Sequence, residues 1–271
     1  MAKLTVEDTS LTAVADAIRA KGGTTDALVF PDGFVNGIES IKGNNYLSGT
    51  IDGSTTDITA DMLEGCTRVK DYAFYRDPTL KSIVIPSSVI ELGTNAFNSC
   101  PSLERVSIPN GLNRIAGNVF QACSNLEGLT LPYVKYTGQY IAASSGITYL
   151  VLEDGWTSVP AYAFYGCSKL TSISLPDSLT SIAINAFEAC KAITNLTIPK
   201  NVTSIGGASL RNCTNLATLE MKPVSPPSIS NSTLQGCGAL TEIIVPVGSL
   251  DAYKSATNWS VFADIMVEAT E

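Results

Sequence analysis

One aliphatic frame governs this chain. The pattern L-x-x-L-x-L, filled by leucine, isoleucine, valine and a single methionine, occurs eight times: Leu80/Ile83/Ile85, Leu103/Val106/Ile108, Leu126/Leu129/Leu131, Ile147/Leu150/Leu152, Leu170/Ile173/Leu175, Ile193/Leu196/Ile198, Leu216/Leu219/Met221 and Leu240/Ile243/Val245. Successive frames begin 23, 23, 21, 23, 23, 23 and 24 residues apart. Each frame ends in the apolar alternation of a short strand, and one such strand cannot bury its apolar side alone. Repetition at a fixed interval removes the difficulty, because each unit covers its neighbour and the stack builds one continuous core. The chain is therefore expected to fold as a stacked solenoid, a scaffold that presents surface.

A second ladder keeps the interval: Leu63, Phe74, Phe97, Phe120, Ile141, Phe164, Phe187, Leu210 and Leu234. Its steps of 11, 23, 23, 21, 23, 23, 23 and 24 predict a half-length unit at the start, a two-residue deletion around YVKYTGQYIAASSG and one late insertion. In the shortened unit Ile141 and Ser144 are read as replacing Phe and Cys, and Asp77 as replacing another thiol. Cys100, Cys123, Cys167, Cys190, Cys213 and Cys237 each follow a ladder residue by three, and Cys66 fits the same pattern. Equivalent side chains on stacked coils point the same way about 4.8 Å apart, which predicts a buried column of free thiols. Parallel Cβ vectors suit disulfide geometry poorly. With no histidine in the chain and no C-x-x-C pair, no metal site is expected.

Between the frames, segments such as DSLTSIAINAFEAC carry an apolar pair (Leu179, Ile182) and then Ala-Phe, which reads as a second short strand followed by a compact helical or 3₁₀ turn. Prolines after the frames (Pro86, Pro109, Pro132, Pro176, Pro199, Pro246) end the strands, since proline offers no N–H to a ladder. The insertion MKPVSPPSIS is expected to bulge. The fold class predicted is mainly β with short helical turns, a right-handed leucine-rich-repeat solenoid over residues 46–246.

Both ends differ from the array. Residues 1–45 read as a helical attachment segment: Leu11, Val14, Ala15 and Ile18 follow helical spacing, Asp8 or Thr9 caps the start, and Gly22-Gly23 stops it. At that size the segment has to dock on the first repeat or on another chain, so self-association through 1–45 is a candidate interaction. Tyr46 to Ile58 reads as an irregular strand region joining it to the array. Residues 247–271 read as a C-terminal cap in which Ser249 starts a short helix bearing Leu250 and Tyr253, and Trp259, Phe262 and Ile265 cover the open end.

Charge and composition narrow the function. A formal charge of −8, with 17 Lys and Arg and no basic run, argues against nucleic acid. No apolar stretch reaches the roughly 18 residues that span a bilayer, so membrane insertion is not expected, and the start MAKLTVEDTS carries no charged-then-apolar leader. For catalysis, the absence of histidine removes the commonest general base. Glu153-Asp154 sits in turn-like sequence beside Gly155. Neither a phosphate-cradling glycine loop nor a calcium loop occurs, so no catalytic residues and no cofactor are assigned.

Frame positions between the aliphatics face outward and form columns. One reads Lys81, Glu104, Glu127, Thr148, Thr171, Thr194, Ala217, Thr241. The next reads Ser82, Arg105, Gly128, Tyr149, Ser172, Asn195, Thr218, Glu242. A third begins Val84, Ser107, Thr130, Val151. Such small and β-branched residues suit a plain pleated surface, and they also suit a flat ligand platform centred on Tyr149. Tyr133, Tyr136, Tyr140 and Tyr149 lie in or beside the shortened unit, and tyrosine combines large contact area with a hydroxyl and little rotamer entropy. The candidate binding residues are Tyr133, Tyr136, Tyr140, Tyr149, Thr148, Thr171 and Thr194.

The unit SIPNGLNRIAGNVFQACSNLEGLTLP resembles the BspA-like (Treponema pallidum type) leucine-rich repeat, with its Ile-Pro, Val-x-x-Ile, Ala-Phe, Cys and Leu punctuation. The ending VPVGSLDAYKSATNW is similar to the terminal unit of such proteins. The opening ADAIRAKGGTTDALVFPDGFVNGIESI resembles phage or prophage structural proteins of gut bacteria. The resemblance implies a non-enzymatic adhesion or protein-binding scaffold, without catalytic residues to carry over. Its expected place is a virion-associated tail protein, or alternatively a bacterial cell-surface adhesin, with a protein or surface glycan as partner.

Overall fold

A computed structural model describes residues 56–63 and 65–270. The expected helical segment 1–45 and most of the joining region lie outside the described residues. The eight frames and the segment before them form one wall of parallel strands: β1 (Asp57–Ile58), β3 (Ser82–Val84), β5 (Arg105–Ser107), β7 (Gly128–Leu131), β9 (Tyr149–Leu152), β11 (Ser172–Ser174), β13 (Asn195–Ile198), β15 (Thr218–Met221) and β16 (Glu242–Val245). The interleaved strands β2 (Arg68–Val69), β4 (Glu91–Leu92), β6 (Arg114–Ile115), β8 (Lys135–Tyr136), β10 (Ser158–Val159), β12 (Ser181–Ile182) and β14 (Ser204–Ile205) form a second wall. Equivalent residues pair across coils, Leu129 with Leu150 and Leu196 with Leu219, because the inward aliphatics must meet their own kind.

Stacked rings fill the core between the walls. Phe74 and Phe97 lie 5.2 Å apart with planes 4° apart, Phe97 and Phe120 5.4 Å and 11°, Phe164 and Phe187 5.5 Å and 13°. Beside the rings runs the thiol column. Cys100 Sγ donates to the Phe74 carbonyl at 2.8 Å, Cys123 to Phe97 at 3.0 Å, Cys190 to Phe164 at 3.2 Å and Cys213 to Phe187 at 3.3 Å. A thiol fits this slot because it is small and apolar, yet carries one weak donor for a buried carbonyl; Phe74, Phe164 and Phe187 O also accept from the backbone N–H of Asp77, Cys167 and Cys190, so there the thiol serves the second lone pair. All seven cysteines are free. Asp77 fills the slot differently, its Oδ1 accepting from Thr79 N (2.8 Å) and Leu80 N (3.0 Å).

Three local expectations need correction. The thiol of Cys167 donates to Ala142 O, and Phe120 N donates to Ile141 O where Phe97 N donates to Val119 O. The residues standing in for Phe and Cys are therefore Ala142 and Ser145, one place later than Ile141 and Ser144. Periodicity misplaced them because Ile141 is apolar whereas Ala142 is small, and only the inter-coil hydrogen bonds fix the register. At the start, Leu63 closes a 3₁₀ turn (Ala60–Leu63) between β1 and β2, so Leu63 and Cys66 belong to the path between the walls and the step of 11 is no half unit. Finally, the N-cap Ser249 makes no side-chain capping bond; its backbone is already right-handed helical, and its hydroxyl is buried without a partner.

The Ala-Phe turn takes a particular form. Left-handed backbone recurs two residues before each ring (Tyr72, Asn95, Asn118, Tyr162, Asn185) and one before each thiol (Ser99, Ala122, Ala189, Asn212). Two such residues interrupt the right-handed run that a helix needs. The freed N–H groups bond to the next coil instead: Asn95 N to Gly117 O at 3.0 Å, Phe97 N to Val119 O at 3.0 Å and Ser99 N to Gln121 O at 2.8 Å. Left-handed turns thus make a third hydrogen-bonded side to each coil.

Helix α1 (Leu250–Ser255), a 3₁₀ turn (Ser260–Ile265) and a further strand β17 (Met266–Glu268), parallel to β16, close the last coil. The cap also pins the proline-rich insertion. Tyr253 Oη donates to Pro223 O (2.8 Å), Trp259 Nε1 to Pro227 O (2.7 Å) and Asn258 Nδ2 to Ile229 O (2.7 Å), while the Tyr253 and Trp259 rings meet edge to face at 5.4 Å.

Candidate functional site

The frame wall alternates inward aliphatics with outward residues, and nothing among the described residues covers its outer face. Ser82, Arg105, Ser107, Thr130, Tyr149, Ser172, Asn195 and Thr197 are exposed or half-exposed along it. The wall is not one even sheet. Its ladder runs β1-β3-β5, then β7-β9-β11, then β13-β15-β16-β17, with no strand pairing from β11 to β13 and, from β5 to β7, only the bond from Glu127 N to Glu104 O (2.9 Å) just before the strands. The inward aliphatics of β5 and its flank, Val106 and Ile108, are only half-buried, as are Ile173 and Leu175 at the second lapse.

At the first lapse a shallow groove of about 360 Å³ opens on the outer face, lined by Ser82, Val84, Glu104, Arg105, Glu127 and Tyr149 among others. Gly128 decides its shape. A Cβ there would overlap Cδ1, Cε1 and Cζ of Tyr149, so the absent side chain lets the Tyr149 ring lie across the strand and wall the groove. Tyr149 remains 45% exposed. Arg105 Nη1 stands 3.5 Å from Glu104 Oε2, and Glu127 has no hydrogen-bond or ion-pair partner for its carboxylate among the described residues. At the rim the hydroxyls of Ser82 and Thr56 both donate to Asp57, the Ser82 bond being the main cause that holds its carboxyl below the usual range.

The candidate residues part company in the structure. Thr148, Thr171 and Thr194 form one exposed column beside Tyr149, but Thr148 Oγ1 donates to Glu127 O (2.9 Å) and Thr171 Oγ1 to Thr148 O (3.0 Å), so these hydroxyl hydrogens serve the coil before. Tyr133 stands 58% exposed at the corner after β7, against Gly155, whose φ of +104° suits glycine. Tyr136 takes the inward place held in neighbouring coils by Leu92 and Ile115; it packs on the core, and its hydroxyl is buried without a partner. Burial pushes that hydroxyl's pKa up. Tyr140 lies on the turn side, its ring 5.2 Å from Tyr162, which is 6.2 Å from Tyr165. Of the four tyrosines only Tyr149 borders the groove. Sequence reasoning passed over Glu104, Arg105, Glu127 and Gly128 as site residues; the one available signal was a lone glycine at an outward strand position next to a tyrosine on the following coil.

Among the described residues no group of three or more His, Cys, Asp or Glu could hold a metal ion, and no helix is long and apolar enough to cross a membrane. Two hydrogen-bonded walls, a ring ladder and an uncovered strand face define a repeat scaffold of the leucine-rich class. Residues 52–164 and 135–258 match the BspA type leucine rich repeat region, in six copies, and the chain belongs to that family. Comparison with proteins of curated function finds no match. The structure is similar to that of a leucine rich cell surface protein from Faecalibacterium prausnitzii, at 25% identity and a TM-score of 0.56, over 72% of this chain and 64% of that one. It is also similar to a leucine-rich repeat protein from Bacteroides ovatus, at 20% identity and a TM-score of 0.50, over 74% of this chain and 63% of that one. The T. pallidum leucine rich repeat protein matches at 21% identity with a TM-score of 0.34, over 80% of this chain and 86% of that one. The chain thus spans 64% and 63% of the lengths of the first two.

Proposed function

We propose that this protein is a non-enzymatic adhesion scaffold at a bacterial cell surface, with the outer face of the frame wall as its recognition surface for a protein or glycan. The observation that carries this reading is the uncovered wall itself, in which strands from successive coils expose alternate residues and none of the described elements packs over them. A surface built on hydrogen-bonded strands binds with little main-chain reorganisation, which keeps the entropic cost of association low. Family membership and the likeness to a protein described as a cell surface protein favour the adhesin over the virion component suggested by the opening segment. That segment lies outside the described residues, and it is the solenoid that the relatives share. The charge of −8 supports a protein or glycan partner over nucleic acid.

Labelled protein applied to immobilised matrix proteins, mucin and whole gut bacteria is expected to bind at least one of them saturably. Absence of binding to all three would refute the adhesion reading. Incubation with glycan and peptide substrates is expected to give no products, and reproducible hydrolysis would overturn the non-enzymatic part.

A further inference from the structure

The groove at the first lapse has features of a particular ligand class. The Tyr149 ring lies over Gly128, with Cδ1, Cε1 and Cζ nearest, and the residue stays 45% exposed. Along the adjacent column stand the carboxylates of Glu104 and Glu127, on neighbouring coils, and the Arg105 guanidinium stands 3.5 Å from Glu104. At about 360 Å³ the groove is at the small end of ligand sites, which run from roughly 300 to 1,000 Å³. It is open and has no deep apolar hole of the kind that seats a protein's aromatic or aliphatic anchor. It offers side chains, whereas an added peptide strand needs the unpaired main chain of a sheet edge.

Resting on the adhesion reading, we infer that this groove binds a neutral glycan through one pyranose ring. The slightly positive axial C–H groups of the sugar lie on the negative face of the Tyr149 ring. Glu104 and Glu127 accept its hydroxyl protons, and Arg105 donates to a hydroxyl or ring oxygen. Glu104, Glu127 and the rim carboxylate Asp57 outnumber Arg105 and Lys81, which disfavours sialylated and sulfated glycans, and the chain's overall charge of −8 adds to that repulsion.

The test is calorimetric titration of the full chain with chitotriose, N-acetyllactosamine and maltotriose, and with 3′-sialyllactose and a heparin tetrasaccharide as acidic probes. At least one neutral saccharide is expected to bind. Tyr149→Ala should weaken that binding about tenfold or more, as loss of an aromatic anchor does. Tyr149→Phe should retain it, Glu127→Gln should weaken it, and Gly128→Ala should weaken it by pushing the ring aside. Because these side chains are exposed or lie over open groove, thermal melts should show Tyr149→Ala folded like the parent, and Tyr72→Ala on the turn side should bind normally. Failure of all three neutral saccharides, preference for an acidic probe, or unchanged affinity in Tyr149→Ala would each overturn the assignment. If mucin, matrix protein or cells still bind while every saccharide fails, the glycan assignment falls and the adhesion reading stands; if nothing binds, both fall.

Discussion

Phe97 and Phe164 hold the same place in different coils, yet the ladder surrounds them differently. Phe97 is fully buried between Phe74 at 5.2 Å and Phe120 at 5.4 Å. Phe164, equally buried, stacks on Phe187 at 5.5 Å and on its other side has Ala142. Truncation to alanine deletes the same atoms at both sites, with a transfer and cavity cost of about 3–5 kcal/mol. Each ring pair adds about 0.5–1.5 kcal/mol beyond area burial. Phe97→Ala loses two such contacts and Phe164→Ala loses one, so Phe97→Ala should be the more destabilised by about 1 kcal/mol. For a chain of this size that is roughly 2–4 °C in Tm. Thermal and urea melts followed by circular dichroism read the difference, with the urea slope confirming that the same surface unfolds in each variant. Equal stabilities, or the reverse order, would refute the claim that stacked rings act as a cooperative ladder interrupted at the shortened coil.

Other perturbations follow from the same geometry. Arg211→Ala should cost about 2–3 kcal/mol in a urea melt, because Glu188, 5% exposed, loses the guanidinium whose Nε and Nη2 lie 2.8 and 2.6 Å from its Oε1; a cost near zero would show that water replaces the pair. Gly146→Ala should lose more than about 2 kcal/mol, since its Cβ would sit 2.6 Å from the Ser124 carbonyl carbon; an unchanged melting temperature would mean that the shortened coil is slack. Tyr253→Phe should cost about 1–2 kcal/mol by leaving the Pro223 carbonyl without its donor, visible as a lower Tm. Burial pushes the Cys213 thiol up to about 12 and the Cys237 thiol up to about 11, from an ordinary 9.0. Folding therefore holds these thiols protonated while the unfolded chain releases their protons, so the stabilisation is complete below pH 9 and is lost as pH rises through 11 to 12. The urea midpoint should be flat from neutral pH to about 9 and then fall; a rise across that window would contradict buried protonated thiols.

Much of this is legible in the sequence. Ile83, Leu129, Leu196 and their equivalents pair coil to coil as the interval demands, and the Phe and Cys columns stack as the second ladder predicted. What went unread has a common cause. Ile141 reads as a ring substitute because hydropathy marks a residue as buried without saying at which rung, and one residue added after Tyr136 offsets one removed before Ile147. Tyr136 looked like a contact residue by type, while its position opposite Ile115 turns it inward. Ser249 carried the right residue type for a cap, but its backbone does not adopt the extended conformation that brings a hydroxyl to the helix N–H groups.

The sequence alone determined that the chain stacks, at what interval, and which side chains line the core, since a periodic apolar frame has one low-energy arrangement, each unit covered by the next. The tertiary structure alone decided where the frame wall parts, that a missing Cβ at Gly128 lets Tyr149 lie across its neighbour, and that Glu104, Arg105 and Glu127 share a groove with it. Those facts depend on small differences in strand spacing and side-chain direction between coils. A repeat that fixes every coil to the same average carries no record of such differences.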